Sequence, residues 1–418
     1  MTIDTETRDA APVMTTAQPT INEPPRRPLS LGSRLAFALA KRIHIGSFDV
    51  TTPEGARRRY TGPVPGPVGK ITINHPRMAR RMVLGGNIGL GEAYMDGDYD
   101  SDDLASFLTV GALNSDALDE VLRGKALYRV LNRAVHSFNQ NSKRGSKRNI
   151  AYHYDLGNAF YREWLDPSMT YSAAAFHDGA ATLEEAQSRK YELLLDRLAA
   201  KPEDHVLEIG CGWGGFAEHA AKTRGCKVTG ITISQAQHDF ARERIQREGL
   251  NEKVEIRLQD YRDTGGEFDG VASIEMFEAV GEKYWPVFFD NVRERLREGG
   301  RAALQVITIA DKHFDYYKSR PDFIQRYIFP GGMLPSPSVF RAQSEKAGLS
   351  VDRMEGFGFC YAKTLAEWNR RFQEAWGELK PMGYDDRFKR MWEYYLAYCE
   401  AGFRAGSIDV QRIQLAKR

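Results

Sequence analysis

The hydrophobic pattern of the chain changes character near residue 182. Beyond it, Leu183 to Ala199 has the spacing of an amphipathic helix. Short apolar runs then follow at Val206–Ile209, Lys227–Ile233, Val254–Leu258, Gly270–Ile274 and Arg301–Ile307. Runs of that length bounded by glycine and polar residues predict strands. The stretches between them, from about Phe216 to Thr223 and from Gln235 to Glu248 with Ser234 as cap, predict helices. Strand and helix in alternation imply an α/β, doubly wound, Rossmann-like sheet over residues 151–418.

The earlier part of the chain reads differently. Residues 1–30 are rich in Thr, Pro, Ala and charge and are expected to be disordered, because so few apolar groups cannot offset the entropy of ordering. Leu35, Phe37 and Ala38 suggest a short amphipathic helix. Ser47–Val50 and Lys70–Asn74 look like strands on either side of a Pro/Gly-rich turn, and helical spacing returns at Pro76–Leu84 and from about Ser101. Residues 31–112 are therefore expected to form a small α+β domain. In 113–150, Leu127, Val130, Leu131, Ala134, Val135 and Phe138 recur at helical spacing among eight Lys and Arg residues. This basic helical linker is either a solvated connector or a patch for anionic lipid headgroups, worth about 1 kcal/mol per well-placed cation.

Candidate chemistry centres on Val206-Leu-Glu-Ile-Gly-Cys-Gly-Trp-Gly-Gly215, a predicted strand that turns through glycines into a helix. Glycine permits unusual φ/ψ there and lets a ligand approach bare backbone. Gly210, Thr232, Asp260 and Glu275 all fall at the carboxyl ends of predicted strands, where ligands of such sheets sit. A nicotinamide cofactor would want GxGxxG spacing and an acid closing the second strand. Neither is present, and no lysine follows the glycines as in a triphosphate-binding loop. S-adenosyl-L-methionine is the remaining common candidate.

Composition narrows the setting. At 418 residues the chain can hold two domains; it has no apolar run approaching a membrane span, and a secretory leader is not expected. Four scattered cysteines form no CxxC pair, so a reducing cytoplasm without structural zinc is expected. His153 and His205 lack metal-ligand spacing. A net charge of +2 argues against nucleic acid as a partner.

Six stretches then occur in order: His153-Tyr-Asp-Leu-Gly-Asn158, Met169-Thr-Tyr-Ser172, the Leu207–Gly214 glycine turn, Leu258-Gln-Asp-Tyr-Arg-Asp263, Met276-Phe-Glu-Ala-Val-Gly281 and Tyr327-Ile-Phe-Pro-Gly-Gly332. Together they resemble the cyclopropane-fatty-acid synthase family, which includes the mycolic-acid methyltransferases. The resemblance runs from about Leu31 to the C-terminus. It implies a class I S-adenosyl-L-methionine-dependent methyltransferase fold acting on cis double bonds of phospholipid acyl chains. It also implies peripheral contact with the inner face of the cell membrane, a homodimer, and a bound bicarbonate as base.

An isolated alkene offers no acidic proton, so the sulfonium methyl must be held against the π bond. The resulting carbocation needs aromatic faces or oriented dipoles. A base must then remove a proton from the added methyl group. By the resemblance, Glu278 positions bicarbonate, Tyr361 completes that site, and Gln305, Ile307 and Ala173 belong to it. Gln305 stands where many members have histidine, and Ala173 replaces a cysteine. Cys399 matches a family cysteine and is expected to pack near the lipid pocket. For the cofactor, Tyr171 and Ser172 would clasp the methionine end, and Gly210 and Gly212 would supply the turn. Thr232, Ile233 and Gln237 would surround the ribose and adenosine, Tyr261 would lie against the adenine, and Ile274 and Glu275 beside the sulfonium.

Blander assignments compete. Glu278 alone could be a solvated helix-start acid, and Phe357, Phe359, Tyr394, Tyr395 and Tyr398 could be core rather than tunnel lining. Ile309–Tyr327 could be an exposed loop or an acyl-chain lid. The substitutions Ala173 and Gln305 motivate a second outcome, methyl transfer without ring closure. A third is a lipid- or cofactor-binding protein without catalysis.

Overall fold

The computed structural model describes residues 19–122, 156–177 and 179–417, so the basic linker from residue 123 and His153 lie outside the described residues. Contacts divide the chain into two units, Met1–Arg80 with Asp98–Gly124 and Arg81–Gly97 with Lys125–Arg418.

The first unit is a five-stranded sheet of β1 (Pro19–Glu23), β2 (Ile45–Thr51), β3 (Arg57–Thr61), β4 (Val64–Ile73) and β5 (Tyr99–Asp100), in the order β1-β3-β2-β4-β5. Pairing is antiparallel except between β2 and β4. Phe37, Phe48, Tyr60, Ile71 and Phe107 are buried. The buried Asp49 carboxylate accepts from Arg57 at 2.9 Å and Arg59 at 2.7 Å. Pro19–Glu23 departs from the expected disordered tail. Its backbone pairs with Arg57–Tyr60, and ladder hydrogen bonds order a segment with few apolar side chains.

The second unit carries β6 (His205–Ile209), β7 (Lys227–Thr232), β8 (Val254–Leu258), β9 (Phe268–Ile274), β10 (Leu296–Ile309), β11 (Leu349–Gly356) and β12 (Ile408–Lys417). The order is β11-β12-β10-β9-β6-β7-β8. The five predicted strands pair in parallel, while β12 runs antiparallel between β10 and β11. Side-chain alternation buries both faces. Leu207, Ile209, Val271 and Leu304 join one apolar cluster with Phe277 and Phe288, whereas Val206, Ala272 and Ala303 join another with Leu194 and Phe216. Between the strands, helices Leu183–Leu198, Gly215–Thr223 and Gln235–Arg247 form as expected. The first starts in a Thr182/Glu185 capping box and the third is capped by Ser234.

The segment Ile309–Tyr327 is mainly helical rather than a loop, over Asp311–Lys318 and Phe323–Tyr327; Phe314 and Phe323 are buried, while Tyr316 stays exposed. The helix Arg77–Met95 bends at Gly86 (φ +55°), and its second part packs within this unit. There Gly91 lies so close to Phe323 that a Cβ would sit 2.4 Å from the ring.

Candidate active site

The sheet order sets the carboxyl ends of β9, β6, β7 and β8 side by side, which brings Glu275, Gly210, Thr232 and Tyr261 to one edge. Gly210 has φ +83°, and its N–H donates to the Ile231 carbonyl at 3.0 Å. Gly212 has φ +52° and no atom within 4 Å of where a Cβ would stand, so the turn borders open space. Thr232 Oγ1 donates to Gln237 Oε1 at 2.8 Å, which fixes the loop after β7, and Ile233 beside it is half-buried. The Tyr261 ring meets Phe288 edge-on at 5.7 Å, and burial raises its phenol to about 12.

Glu275 ends β9 with φ +48°, a left-handed conformation that is uncommon outside glycine. Its Oε1 accepts from the Ala173 N–H at 2.8 Å and from Gln305 Nε2 at 2.7 Å, and its Oε2 from the Tyr361 hydroxyl at 2.6 Å. The Glu275 N–H donates to the Gln305 carbonyl at 2.8 Å, and Gln305 Nε2 also reaches the Ala173 carbonyl at 3.1 Å. Burial raises the Glu275 pKa; Tyr361, Ala173, Gln305 and the Lys190 charge oppose it.

Glu278 follows one turn later in the short helix Phe277–Ala279. Its Oε1 accepts from the Ile307 N–H, while Oε2 is buried without a hydrogen-bond partner among the described residues. Burial, reinforced by the Glu275 charge, lifts its pKa to about 8. The Met333 N–H donates to the Glu278 carbonyl at 2.8 Å, so the Phe-Pro-Gly-Gly stretch packs against this turn. Both carboxyl groups are enclosed by protein.

The loop segment Tyr171–Ala174 reaches this pair through Ala173. Tyr171 and Tyr395 share a hydroxyl hydrogen bond at 2.7 Å, and the Tyr171 ring lies 5.2 Å from Trp368. Ser172 Oγ accepts from Lys190 Nζ at 2.7 Å, its carbonyl accepts from Gln187 at 3.0 Å, and the Ala174 N–H donates to Thr364 at 3.1 Å. Cys399 is a free thiol whose pKa burial raises, and it lies close enough to Tyr361 and Tyr395 to influence both electrostatically.

Comparison with known proteins fits this geometry. The family described as mycolic acid cyclopropane synthetase matches residues 141–413. The chain belongs to that family. Tuberculostearic acid methyltransferase UfaA1 of Mycobacterium tuberculosis is 37% identical over 100% of this chain and 99% of its own length. Cyclopropane-fatty-acyl-phospholipid synthase of Escherichia coli K12 is 38% identical over 83% of this chain and 87% of its own. Among solved structures, the cyclopropane synthase MmaA2 from M. tuberculosis superposes with a TM-score of 0.61 at 31% identity, over 65% of this chain and 98% of that one. The fold is accordingly that of the class I methyltransferases, as expected.

Within this chain, Ala173, Gln305 and Tyr361 come together as the motifs suggest, but on Glu275 rather than on Glu278. The open space beside Gly212 and the four adjacent strand ends suit a nucleoside-bearing methyl donor. The bicarbonate site fits less well: the backbone and side-chain donors that would hold such an anion are taken by the Glu275 carboxylate. Lys190 escaped sequence reasoning. It is 1% exposed, and burial lowers its pKa to about 7 against the charges of Glu275, Asp166 and Glu208. Its signal was a cation on the buried stripe Leu183, Ala186, Gln187, Tyr191, Leu194 of its helix.

Proposed function

We propose that this chain transfers a methyl group from S-adenosyl-L-methionine to a cis double bond of an unsaturated phospholipid acyl chain and closes a cyclopropane ring. The observation that carries the reading is the convergence of Ala173, Gln305 and Tyr361 on a carboxylate at the end of β9, beside the glycine turn. The acyl substrate is supported by the name of the E. coli relative. The methyl donor is supported by the mycolic acid cyclopropane synthase CmaA1, solved in complex with SAH and CTAB at 30% identity and a TM-score of 0.61.

The bound donor supplies an electrophilic sulfonium methyl group. Gly210, Gly212, Thr232, Ile233, Gln237 and Tyr261 would hold its nucleoside part, Tyr171 and Ser172 its amino-acid part, and Ile274 would lie beside the sulfonium. The Tyr361 ring, 4.5 Å from Phe403 and 6.1 Å from Trp368, contributes π faces that stabilise positive charge on the acyl chain. Burial of Gln305 and Tyr361 keeps water from that cation. Phe359, 70% exposed and 5.0 Å from Lys363 Nζ, begins the helix that bears Tyr361; an aromatic group beside a cation suits a phospholipid surface. No helix among the described residues is long and apolar enough to cross a membrane, so such contact would be peripheral.

A second reading, a methyl- or methylene-branched product without a ring, is favoured by the full-length similarity to a tuberculostearic acid methyltransferase. Expression in a bacterium that lacks cyclopropane lipids, fed with trideuteromethyl methionine, tests both. Ring and methylene products each lose one deuteron and keep two, as does a saturated branch made by later reduction of the methylene, which is two mass units heavier. Proton NMR of lipid from an unlabelled culture then separates upfield ring signals from vinyl ones. Unmodified acyl chains in that host would refute the proposal.

A further inference from the structure

We propose that the Glu275 side chain is itself the base of the reaction, in the place that the family resemblance gives to bicarbonate. The inference rests on the methyl-transfer reading above and deepens it.

Four features of the structure lead there. First, an anion held at this spot would need the Ala173 N–H, the Gln305 amide and the Tyr361 hydroxyl, and each already donates to a Glu275 oxygen. Second, the oxygens are not equivalent. Oε1 accepts two hydrogen bonds, which fill its in-plane lone pairs, whereas Oε2 accepts one and retains a lone pair able to take a proton. Third, Glu275 is held at φ +48°, a conformation that is strained for a residue with a side chain and that glycine would adopt freely. A strained carboxylate kept at a strand end is accounted for if its oxygens have a task there. Fourth, the neighbouring carboxyl differs in kind. Glu278 has one backbone donor and an unpartnered oxygen, whereas at Glu275 three donors and the Lys190 charge work against the burial that raises its pKa.

The step balances without a further reagent. The methyl carbon leaves sulfur, which keeps the bonding pair and becomes neutral in S-adenosylhomocysteine. The alkene π pair forms the new carbon–carbon bond, and the other alkene carbon becomes cationic. Glu275 Oε2 then takes a proton from the added methyl group, and the freed C–H pair closes the ring onto the cation. If a hydride first shifts between the two former alkene carbons, the same proton loss gives a methylene branch instead. The base is common to both products.

The test uses the full chain, the methyl donor and vesicles of dioleoyl phosphatidylethanolamine and dioleoyl phosphatidylglycerol, in buffer freed of carbon dioxide. Wild-type turnover is expected to be the same with and without added sodium bicarbonate. Glu275→Gln keeps the side-chain shape and should lose roughly 100-fold or more of product formation, with bicarbonate giving no rescue. Glu275→Gly relieves the backbone and frees the three donors. It should be equally slow until bicarbonate is added and then recover at least tenfold. Melting temperature and SAH affinity establish that each variant is folded. Wild-type activity that vanishes without bicarbonate and returns with it would overturn the inference, as would a fully active Glu275→Gln. Wild-type protein that forms no SAH on any unsaturated lipid would overturn the functional reading itself, and the inference with it.

Discussion

The Tyr361 hydroxyl donates to Glu275 Oε2 at 2.6 Å and so ties the helix Gly358–Glu374 to the carboxyl end of β9. A buried carboxylate deprived of such a donor loses about 1–3 kcal/mol of stabilisation. Its orientation also becomes less certain, and small misplacements of a reacting group reduce rates by one to two orders of magnitude. Tyr361→Phe is therefore expected to lower kcat on the order of 10- to 100-fold, with little change in KM for the lipid and a modest fall in Tm. Steady-state SAH release on unsaturated vesicles, read beside a thermal melt, checks the split.

Glu278 should leave a signature in the pH dependence of stability. Its carboxyl titrates near 4.5 when unfolded and at about 8 in the folded protein, because burial and the Glu275 charge disfavour ionisation. Between those values the folded state holds a proton that the unfolded state has released. The stability tied to this proton is fully present below about 4.5 and is lost as pH rises toward about 8. Glu278→Gln cannot titrate, so its Tm should fall less than that of the wild type between pH 5 and pH 8. Parallel slopes in the two proteins would contradict the raised pKa.

Parts of this architecture were legible in sequence for physical reasons, and parts were not. The five parallel strands were, because strands covered on both faces need unbroken apolar runs. β12 was not: its apolar residues alternate at Ile408 and Val410 and then resume out of phase at Ile413 and Leu415. β11 is an edge strand, Leu-Ser-Val-Asp-Arg-Met-Glu-Gly, whose polar residues read as a loop. Glu275 could be placed at a strand end, but its three donors come from residues 102 positions before it and 30 and 86 after it. No local pattern encodes that meeting. For Pro19–Glu23, composition suggested disorder because the pairing partner is a strand almost forty residues away.

The two glycines of the turn should respond differently to alanine. At Gly210 a Cβ would stand 2.7 Å from Met276 Cγ, on a backbone at φ +83°, so Gly210→Ala must displace a neighbour and strain the chain. Destabilisation of about 1–3 kcal/mol is expected. At Gly212 the backbone cost, about 1 kcal/mol, remains, but the methyl group would enter open space. If the donor occupies that space, Gly212→Ala loses SAH affinity out of proportion to its loss of stability. Calorimetric titration with SAH beside thermal melts of both variants separates steric from ligand effects.

Lys190 offers a way to tell positioning from packing. Its ammonium reaches Ser172 Oγ at 2.7 Å, and burial holds its pKa near 7, well below the ordinary lysine value. The folded protein thus binds fewer protons here than the unfolded chain between about pH 7 and 10.5, and its stability rises with pH across that window. Lys190→Met keeps most of the side-chain volume and removes a charge that is costly to bury. At pH 7 the variant should melt at or above the wild-type temperature. Ser172 would nevertheless lose the donor that fixes the Tyr171–Ala174 segment, and Glu275 the positive charge that favours its anion. SAH affinity is expected to fall on the order of tenfold, about 1.4 kcal/mol, and product formation by more. A variant that is more stable yet binds and turns over worse cannot be explained by damage to the core. A variant that is less stable with unchanged SAH affinity would instead make Lys190 a structural residue.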